Sequence, residues 1–496
     1  MLRLKCAFQA YDWGKIGVSS EVYKLLERSG QYQELDLTKP YAELWMGTHV
    51  SGPSFLMDAP STTLESYITE HSNCLGSSVV AKFGKALPFL FKVLSVRTAL
   101  SVQAHPTKEY AIKLHAERPD VYKDSNHKPE LAIALTPFEA MISFRSPAEI
   151  GTFAKYIPEL HEIIGPEYTE DLINISASDE DLASPSIKAA YSRLMTADPK
   201  MVSTLVDNLK ERLTNGEKIT IPSIETNTTL DTDVLKEVFI RLATDFPGDV
   251  GCFSLFFFNY VRLNPGEAIF LEPNLPHAYI SGDCIECMAS SDNVIRAGLT
   301  QKFKDVDHLL KIVQYEPRWG SALMFSGELK EITPPQPTYP TMEQTKNSMN
   351  TPHIVTFSPP VEEFSVDKIV IPSQYQAVEF APLKSASILL IINGQGRIQR
   401  LYGNRLSASR MTEISDVKDD STPMNKNNNE KKKSSWTEEN STASAFVCEC
   451  FEFNEGSVFF ISAGIPFCIQ QQQQLQSSSN VSDVLAFRAY ANVFND

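Results

Sequence analysis

The sequence predicts a mainly β protein with an α-helical insertion, and three observations carry the prediction. Strand-like runs joined by turn-rich connections fill residues 1–145 and resume at 249. Between them, residues 146–248 repeat apolar side chains every three or four places, the period of a helix face. One short phrase also occurs twice, "GEAIFLEPNLPHAYI" from Gly266 and "GSVFFISAGIPFCI" from Gly456. Superposing them sets Phe270 on Phe460 and Pro276 on Pro466, but His277 on Phe467. The expected organisation is therefore a discontinuous β unit of residues 1–145 and 249–325, a helical insertion at 146–248, and a C-terminal β unit at 326–496.

Along the chain, "LPFLFKVLSV" and "PFEAMISF" read as strands. "PTKEYAIKLHAERPD" reads as a helix capped by Thr107, with Tyr110, Ala111, Ile112 and Leu114 apolar and a stop at Pro119. Three helical segments follow, each opening on Ser, Thr or Asp, until strand texture returns in "VGCFSLFFFNYVRLNPGEAIFLEP". "SILLIINGQGRIQRLYGN" reads as a hairpin about Asn393-Gly394. Its Gly394-x-Gly396 is no nucleotide loop, because neither a third glycine nor a helix follows. Residues 407–443 are polar and rich in Asn, Lys and Ser, and predict a disordered excursion between strands; 470–480 predicts a shorter one.

Composition narrows the function classes. The chain has 496 residues, 42% hydrophobic, with a formal net charge of −16, which disfavours a general nucleic-acid surface. No apolar run approaches the roughly 20 residues of a membrane span, and the N-terminal stretch lacks the apolar core of a signal peptide. A monomeric cytoplasmic protein with no membrane or nucleic-acid partner is expected. Eight cysteines make no disulfide framework, and Cys284-x-x-Cys287 sits in strand-like texture where a structural role is expected.

The chemistry gathers at four positions. "LSVQAHPTKEY" places Gln103 and His105 two apart on an extended run, hence on one face. "HKPEL" supplies Glu130 and "EPNLPHAY" supplies His277. Two imidazoles, a carboxylate and an amide oxygen form a nitrogen/oxygen set suited to Zn²⁺, with a position left for water or substrate. An iron-dependent oxygenase would favour stronger donors than Gln103; a non-catalytic zinc-containing binding protein is the other alternative. Because Phe467 carries no lone pair, the repeat predicts one metal site, in the first β unit.

"YDWGK", "YAELWMGTH", "LPFLFKVLSVRTALSVQAHP", "HKPELAIALTPFEAM" and "GDCIECMASSDNVIRAGLTQKFKD" together resemble type I phosphomannose isomerases, in order, from about residue 3 to 320. The resemblance implies two cupin-like jelly-roll domains with a helical domain inserted into the first. It implies one zinc per chain on Gln103, His105, Glu130 and His277, and an active-site role for Arg296. It further implies interconversion of mannose 6-phosphate and fructose 6-phosphate through an enediol, feeding GDP-mannose synthesis. Such chemistry needs acid/base groups beside the metal, and Glu286, Lys128, His127 and Asp292 are the candidates in these segments. A sugar phosphate needs local cations, for which Arg296, Lys302 and Lys92 are expected, with Ser101 as a hydroxyl donor. Trp13 and Trp45 are candidate pocket walls, and Glu43 is left undecided between core and site.

Overall fold

A computed structural model describes residues 1–175, 180–221, 231–332, 351–402, 449–472 and 482–493. The predicted excursion at 407–443 and most of that at 470–480 lie outside the described residues. Residues 470 and 471 do not: both continue the strand Phe467–Gln471, and the Gln471 amide donates to the carbonyls of Ile371, Pro372 and Tyr375.

The first β unit is a ten-stranded antiparallel arrangement whose central path runs Phe258–Leu263, Phe138–Phe144, His277–Ala289, Phe89–Val96, Glu43–Met46, Ala7–Gln9. Side chains of the Phe89–Val96 strand alternate between two buried faces. Leu94 and Val96 point into the barrel with Ala132, Phe138 and Leu271. Phe89, Phe91 and Val93 point outward, into a core shared with Phe364, Ile388, Phe460 and Phe487 of the C-terminal unit. Burial on both faces explains why this strand is an apolar run broken only by Lys92, on the interior face, and Ser95, on the outer one.

The same alternation disposes of the C-x-x-C pair. Cys284 lies inside the barrel and Cys287 in the core between the units, so the two thiols face opposite ways.

The second unit packs a nine-stranded sheet against a four-stranded one around Ile369, Val378, Leu389, Phe459 and Phe467. Three strands from the N-terminal stretch join it: Leu2–Lys5 pairs with Val458–Ile461, Phe55–Leu56 pairs with Leu2–Lys5, and Ala59–Thr63 pairs with Phe55–Leu56. The Asn393-Gly394 stretch is not a hairpin. Ser387–Asn393 pairs with strands Val458–Ile461 and Val484–Tyr490, whereas Gly396–Arg400 pairs in the other sheet, so the turn carries the chain between sheets.

Six helices lie between Pro147 and Asp245 among the described residues; the segment read as opening on Ser184 does not start there, because its helix already runs from Glu180 and carries Pro185 inside it. Ser146 forms a capping box with Glu149, while Asp198 and Asp231 accept from the first free N–H groups of their helices. Strand does not resume at Val250; Val250–Phe256 is a 3₁₀ segment, fully buried from Gly251 onward, before the strand Phe258–Leu263. Helix Lys108–Glu117 is capped by Thr107 as expected, but Ile112 faces solvent while Ala111 and Leu114 are buried.

Phe467 lies inside the second unit, where its ring stacks on Phe380 at 4.8 Å. The Arg488 guanidinium stands 5.9 Å from each of these rings, and its Nε and Nη2 donate to Asp367 Oδ2 at 3.1 and 2.6 Å. A packed aromatic–ion-pair core thus takes the place that ligands take in the first unit. Asp367→Ala leaves a buried guanidinium without its counter-charge and is expected to cost about 3–5 kcal/mol. Urea unfolding measures the loss, and activity per folded molecule is expected to stay at the wild-type value.

Candidate metal centre and active site

His105 follows the strand Val102–Ala104, Glu130 opens the strand Glu130–Ala134, and His277 opens the strand His277–Ala289. Backbone register brings them together: Gln103 pairs across with His277 on one side and Arg296 on the other. Side chains opposite one another in antiparallel strands share a face, so Gln103, His277 and Arg296 form one row. The approach to His277 is shaped by Asn274, whose φ of 68° is left-handed, a conformation Asn tolerates better than most residues. Its N–H donates to the His105 carbonyl at 2.6 Å, linking the two histidine segments.

A β-bulge joins the ligand end of the long strand to its carboxylate end. Ala140 pairs with Tyr279 but Glu139 with Ser281, so one extra residue enters the His277–Ala289 strand. The alternation is thereby shifted by one, and His277, Tyr279 and then Glu286 all face the barrel interior. Close behind the bulge is Gly282, at φ 112°, where a Cβ would come within 2.5 Å of the Pro137 carbonyl oxygen.

The ligand atoms of His105, Glu130 and His277 lie within 4.8 Å of one another, the one such group of metal-binding side chains among the described residues. Glu130 Oε2 is 3.4 Å from His105 Nε2 and 3.3 Å from His277 Nε2. Donors about 2.1 Å from a tetrahedral ion stand roughly 3.4 Å apart, so these separations fit a zinc shell. Both rings are oriented from behind: His105 Nδ1 donates to the Asn293 carbonyl at 2.7 Å and His277 Nδ1 to the Leu275 carbonyl at 2.9 Å. A carbonyl can only accept, so each Nε2 is left as a lone pair aimed at Glu130. His105 Nε2 and Glu130 Oε2 are buried with no hydrogen-bond partner, a costly arrangement that a cation would relieve. Gln103 lies beside the group, its Nε2 donating to His277 Nε2 at 3.3 Å and its Oε1 accepting from Ser101 Oγ at 3.2 Å.

Electrostatics agree with this fit. Burial pushes His105 down to about 4, which keeps its ring neutral and free to ligate. Burial alone raises Glu130, but the Lys128 ammonium at 3.1 Å and the imidazoles outweigh it and hold the carboxylate well below its usual range.

Beside the ligands stands a second buried group. Lys92 Nζ is 3.1 Å from Glu286 Oε2 and 3.2 Å from Glu43 Oε2, and it lies over the Trp45 ring at 5.0 Å. Trp45 Nε1 donates to the same Glu43 oxygen at 2.7 Å. Burial raises the Glu286 pKa, and the Lys92 charge offsets that only in part. The Lys92 charge is matched by the two carboxylates of Glu286 and Glu43, so Lys92, expected at a phosphate, and Glu43, left between core and site, form one ion-paired group with Glu286.

The remaining candidates divide by environment. Arg296 is half-buried with no hydrogen-bonded or ion-paired partner among the described residues, and burial lowers its pKa. Lys302 lies exposed beyond the strand that carries Arg296. Trp13 stacks on Tyr11 at 5.8 Å and packs against the barrel interior, between core and opening. Asp292 is at the surface, 3.3 Å from His49. His127 is drawn elsewhere: its Nε2 is 2.7 Å from Glu363 of the C-terminal unit. Tyr279 escaped the sequence reading, although its position two after His277 marks it. Its hydroxyl is buried with no hydrogen bond of good geometry among the described residues, and burial plus the nearby carboxylates of Glu286 and Glu130 push its pKa well up.

Comparison with known proteins agrees with this geometry. The family model for the phosphomannose isomerase type I catalytic domain matches residues 1–147, and that for the helical insertion domain matches residues 163–258. A probable mannose-6-phosphate isomerase of Echinococcus multilocularis is 47% identical over 404 residues, covering 80% of this chain and 88% of the relative. The Homo sapiens mannose-6-phosphate isomerase is 41% identical over 397 residues, 79% of this chain and 87% of its own. A crystal structure of a phosphomannose isomerase variant from Salmonella typhimurium superposes with a TM-score of 0.69 at 23% identity, covering 99% of both chains. A zinc-bound mannose 6-phosphate isomerase structure does so at 0.67 and 24%, again over 99% of each. Sequence, architecture and the disposition of the buried His–Glu–His group converge, and the chain belongs to the type I phosphomannose isomerase family.

Proposed function

We propose that the protein interconverts mannose 6-phosphate and fructose 6-phosphate by proton transfer between C1 and C2 through an enediol. The observation that carries this reading is a buried His–Glu–His group with orphaned donor atoms, set in one barrel with a buried carboxylate and an unpaired arginine. The curated relatives named above support the substrate pair. One zinc per chain, on Gln103, His105, Glu130 and His277, would supply a Lewis acid where the sugar carbonyl gathers negative charge.

The chain's own groups do the rest. Glu286, raised by burial and steadied by Lys92, takes the proton from the carbon next to the carbonyl and returns it to the neighbouring carbon. Lys128, paired with Glu130, stands where it can donate to a sugar oxygen. Arg296 offers its unpaired fork to phosphate, with Lys302 and Ser101 as further contacts and Trp13 as a wall. The product would feed GDP-mannose synthesis, and we assign the protein to the cytoplasm as a monomer. No helix among the described residues is long and apolar enough to cross a membrane.

A coupled assay on purified protein, with and without a chelator, tests the reading. Activity is expected to vanish with the metal and return with zinc, and turnover that survives complete metal removal overturns the zinc role. Binding of mannose 6-phosphate without exchange of its C2 proton for solvent deuterium would reduce the protein to a binder. Arg296→Met is expected to lower kcat/KM about 10–100-fold, the loss of a charge-assisted hydrogen bond of roughly 1.5–3 kcal/mol. Steady-state kinetics on the zinc-loaded variant check it, and Arg296→Lys should recover only part, because a point charge lacks the bidentate fork.

A further inference from the structure

Two loops meet behind His105, and one side chain holds them. The Asp124 carboxylate accepts four hydrogen bonds. Oδ1 takes the Asn126 N–H at 2.9 Å, the Ser291 hydroxyl at 2.9 Å and the Asn293 amide at 3.2 Å; Oδ2 takes the Asp292 N–H at 2.8 Å. Asn293 reinforces the join, its Nδ2 also donating to the carbonyls of Asp124 at 2.7 Å and Asn126 at 2.9 Å. The first loop leads directly into Lys128 and Glu130. The second connects the His277–Ala289 strand to Arg296, and its Asn293 carbonyl is the acceptor that fixes His105.

We propose that Asp124 is a positioning residue for the metal centre, acting through the Asn293 carbonyl on His105 and through its own loop on Glu130. The proposal rests on the zinc reading above. Four donors converge on one carboxylate, and only an ionised carboxylate offers acceptors on both oxygens. An asparagine there turns one acceptor into a donor facing other donors, so the 290–294 loop shifts and the Asn293 carbonyl leaves His105 Nδ1. The ring then loses its fixed tautomer, and with it the lone pair held toward Glu130. Removing an orienting partner of this kind weakens metal binding by about 10–100-fold.

The test compares wild type with Asp124→Asn by two readouts. Zinc affinity is measured by competition with a chromophoric chelator on the full chain. The His105 tautomer is read in metal-free protein from two-bond proton–nitrogen spectra of histidine-labelled samples, assigned with His105→Gln. Asp124→Asn is expected to weaken zinc about 10–100-fold and to convert a single Nδ1–H tautomer into an average, with far-UV dichroism unchanged. Ser291→Ala, which removes one donor of the four, is expected to show the same change at several-fold, and it serves if Asp124→Asn does not fold. Wild-type zinc affinity together with an unchanged tautomer in the folded variants overturns the proposal. If wild type takes up no zinc but the variants still free the tautomer, the metal reading falls and the positioning role stands.

Discussion

His277→Phe is expected to yield a folded protein that retains no zinc and isomerises mannose 6-phosphate at least about 10³-fold more slowly, the equivalent of losing roughly 4 kcal/mol of charge stabilisation at the transition state. The chain itself supplies the rationale. Phe467 occupies the matching place in the C-terminal unit, stacked 4.8 Å from Phe380 in a buried core that also holds the Arg488–Asp367 pair. A phenyl ring at that corner of a jelly roll is therefore compatible with folding but has no lone pair to give. In the first unit the substitution leaves Glu130 with His105 and Lys128 but removes one of two imidazoles, and the set that remains, one imidazole, one carboxylate and the weak amide of Gln103 beside a lysine ammonium, is a poor donor set for zinc. Metal content by plasma mass spectrometry, a coupled assay and circular dichroism decide the matter together. Retention of one zinc per chain, or a rate within tenfold of wild type, would remove His277 from the ligand set.

How much of this was legible from sequence depended on whether the signal was local. Helix starts at Ser146 and Asp231 were readable because a cap is satisfied within three residues, whereas the new start at Asp198 was hidden inside one long apolar-periodic segment. The convergence of His105, Glu130 and His277 was readable because ligand chemistry is tied to residue type and to short strand spacing. The pairing of Asn393-Gly394 was misread because turn chemistry resembles a hairpin whether the flanking strands join one sheet or two. The ion pairing of Lys92 was hidden for a related reason: its isolation in an apolar run announced function, but its partners Glu43 and Glu286 lie on other strands, and register alone brings them together. The bulge at Ile280, which turns Glu286 inward, left no mark in the local pattern. Membership of Leu2–Lys5 and Phe55–Leu56 in the C-terminal sheet is a long-range pairing that no window of sequence contains.

The Glu43–Lys92–Glu286 group carries the second large expected effect. Glu286→Gln should retain zinc and fold normally yet lower kcat by about 10²–10⁴, the usual worth of a positioned acid/base group. The pH profile separates this from a general disturbance. Glu286 is raised above 4.5 by burial, while Lys92 pulls it down. Acting as a base it must be ionised, so wild-type kcat/KM falls as pH drops through that raised value, and Glu286→Gln lacks this limb. Lys92→Met removes the opposing cation, so the limb should move to higher pH. Stability follows the same charges with opposite signs. Burial would lower Lys92, but Glu43 and Glu286 raise it above its ordinary 10.5; its contribution is therefore complete below that pH and is lost only as pH rises through the folded value. At neutral pH Lys92→Met loses all of it and strands two buried carboxylates, a cost of about 3–5 kcal/mol. Acidification should return part of that loss, because a carboxylate raised in the folded state takes up its proton there first and the repulsion disappears. Urea unfolding at pH 5 and pH 7.5 measures the recovery. A Glu286→Gln variant with wild-type kcat, or a Lys92→Met acid limb that stays in place, would remove Glu286 as the base and leave the three side chains a purely structural triad.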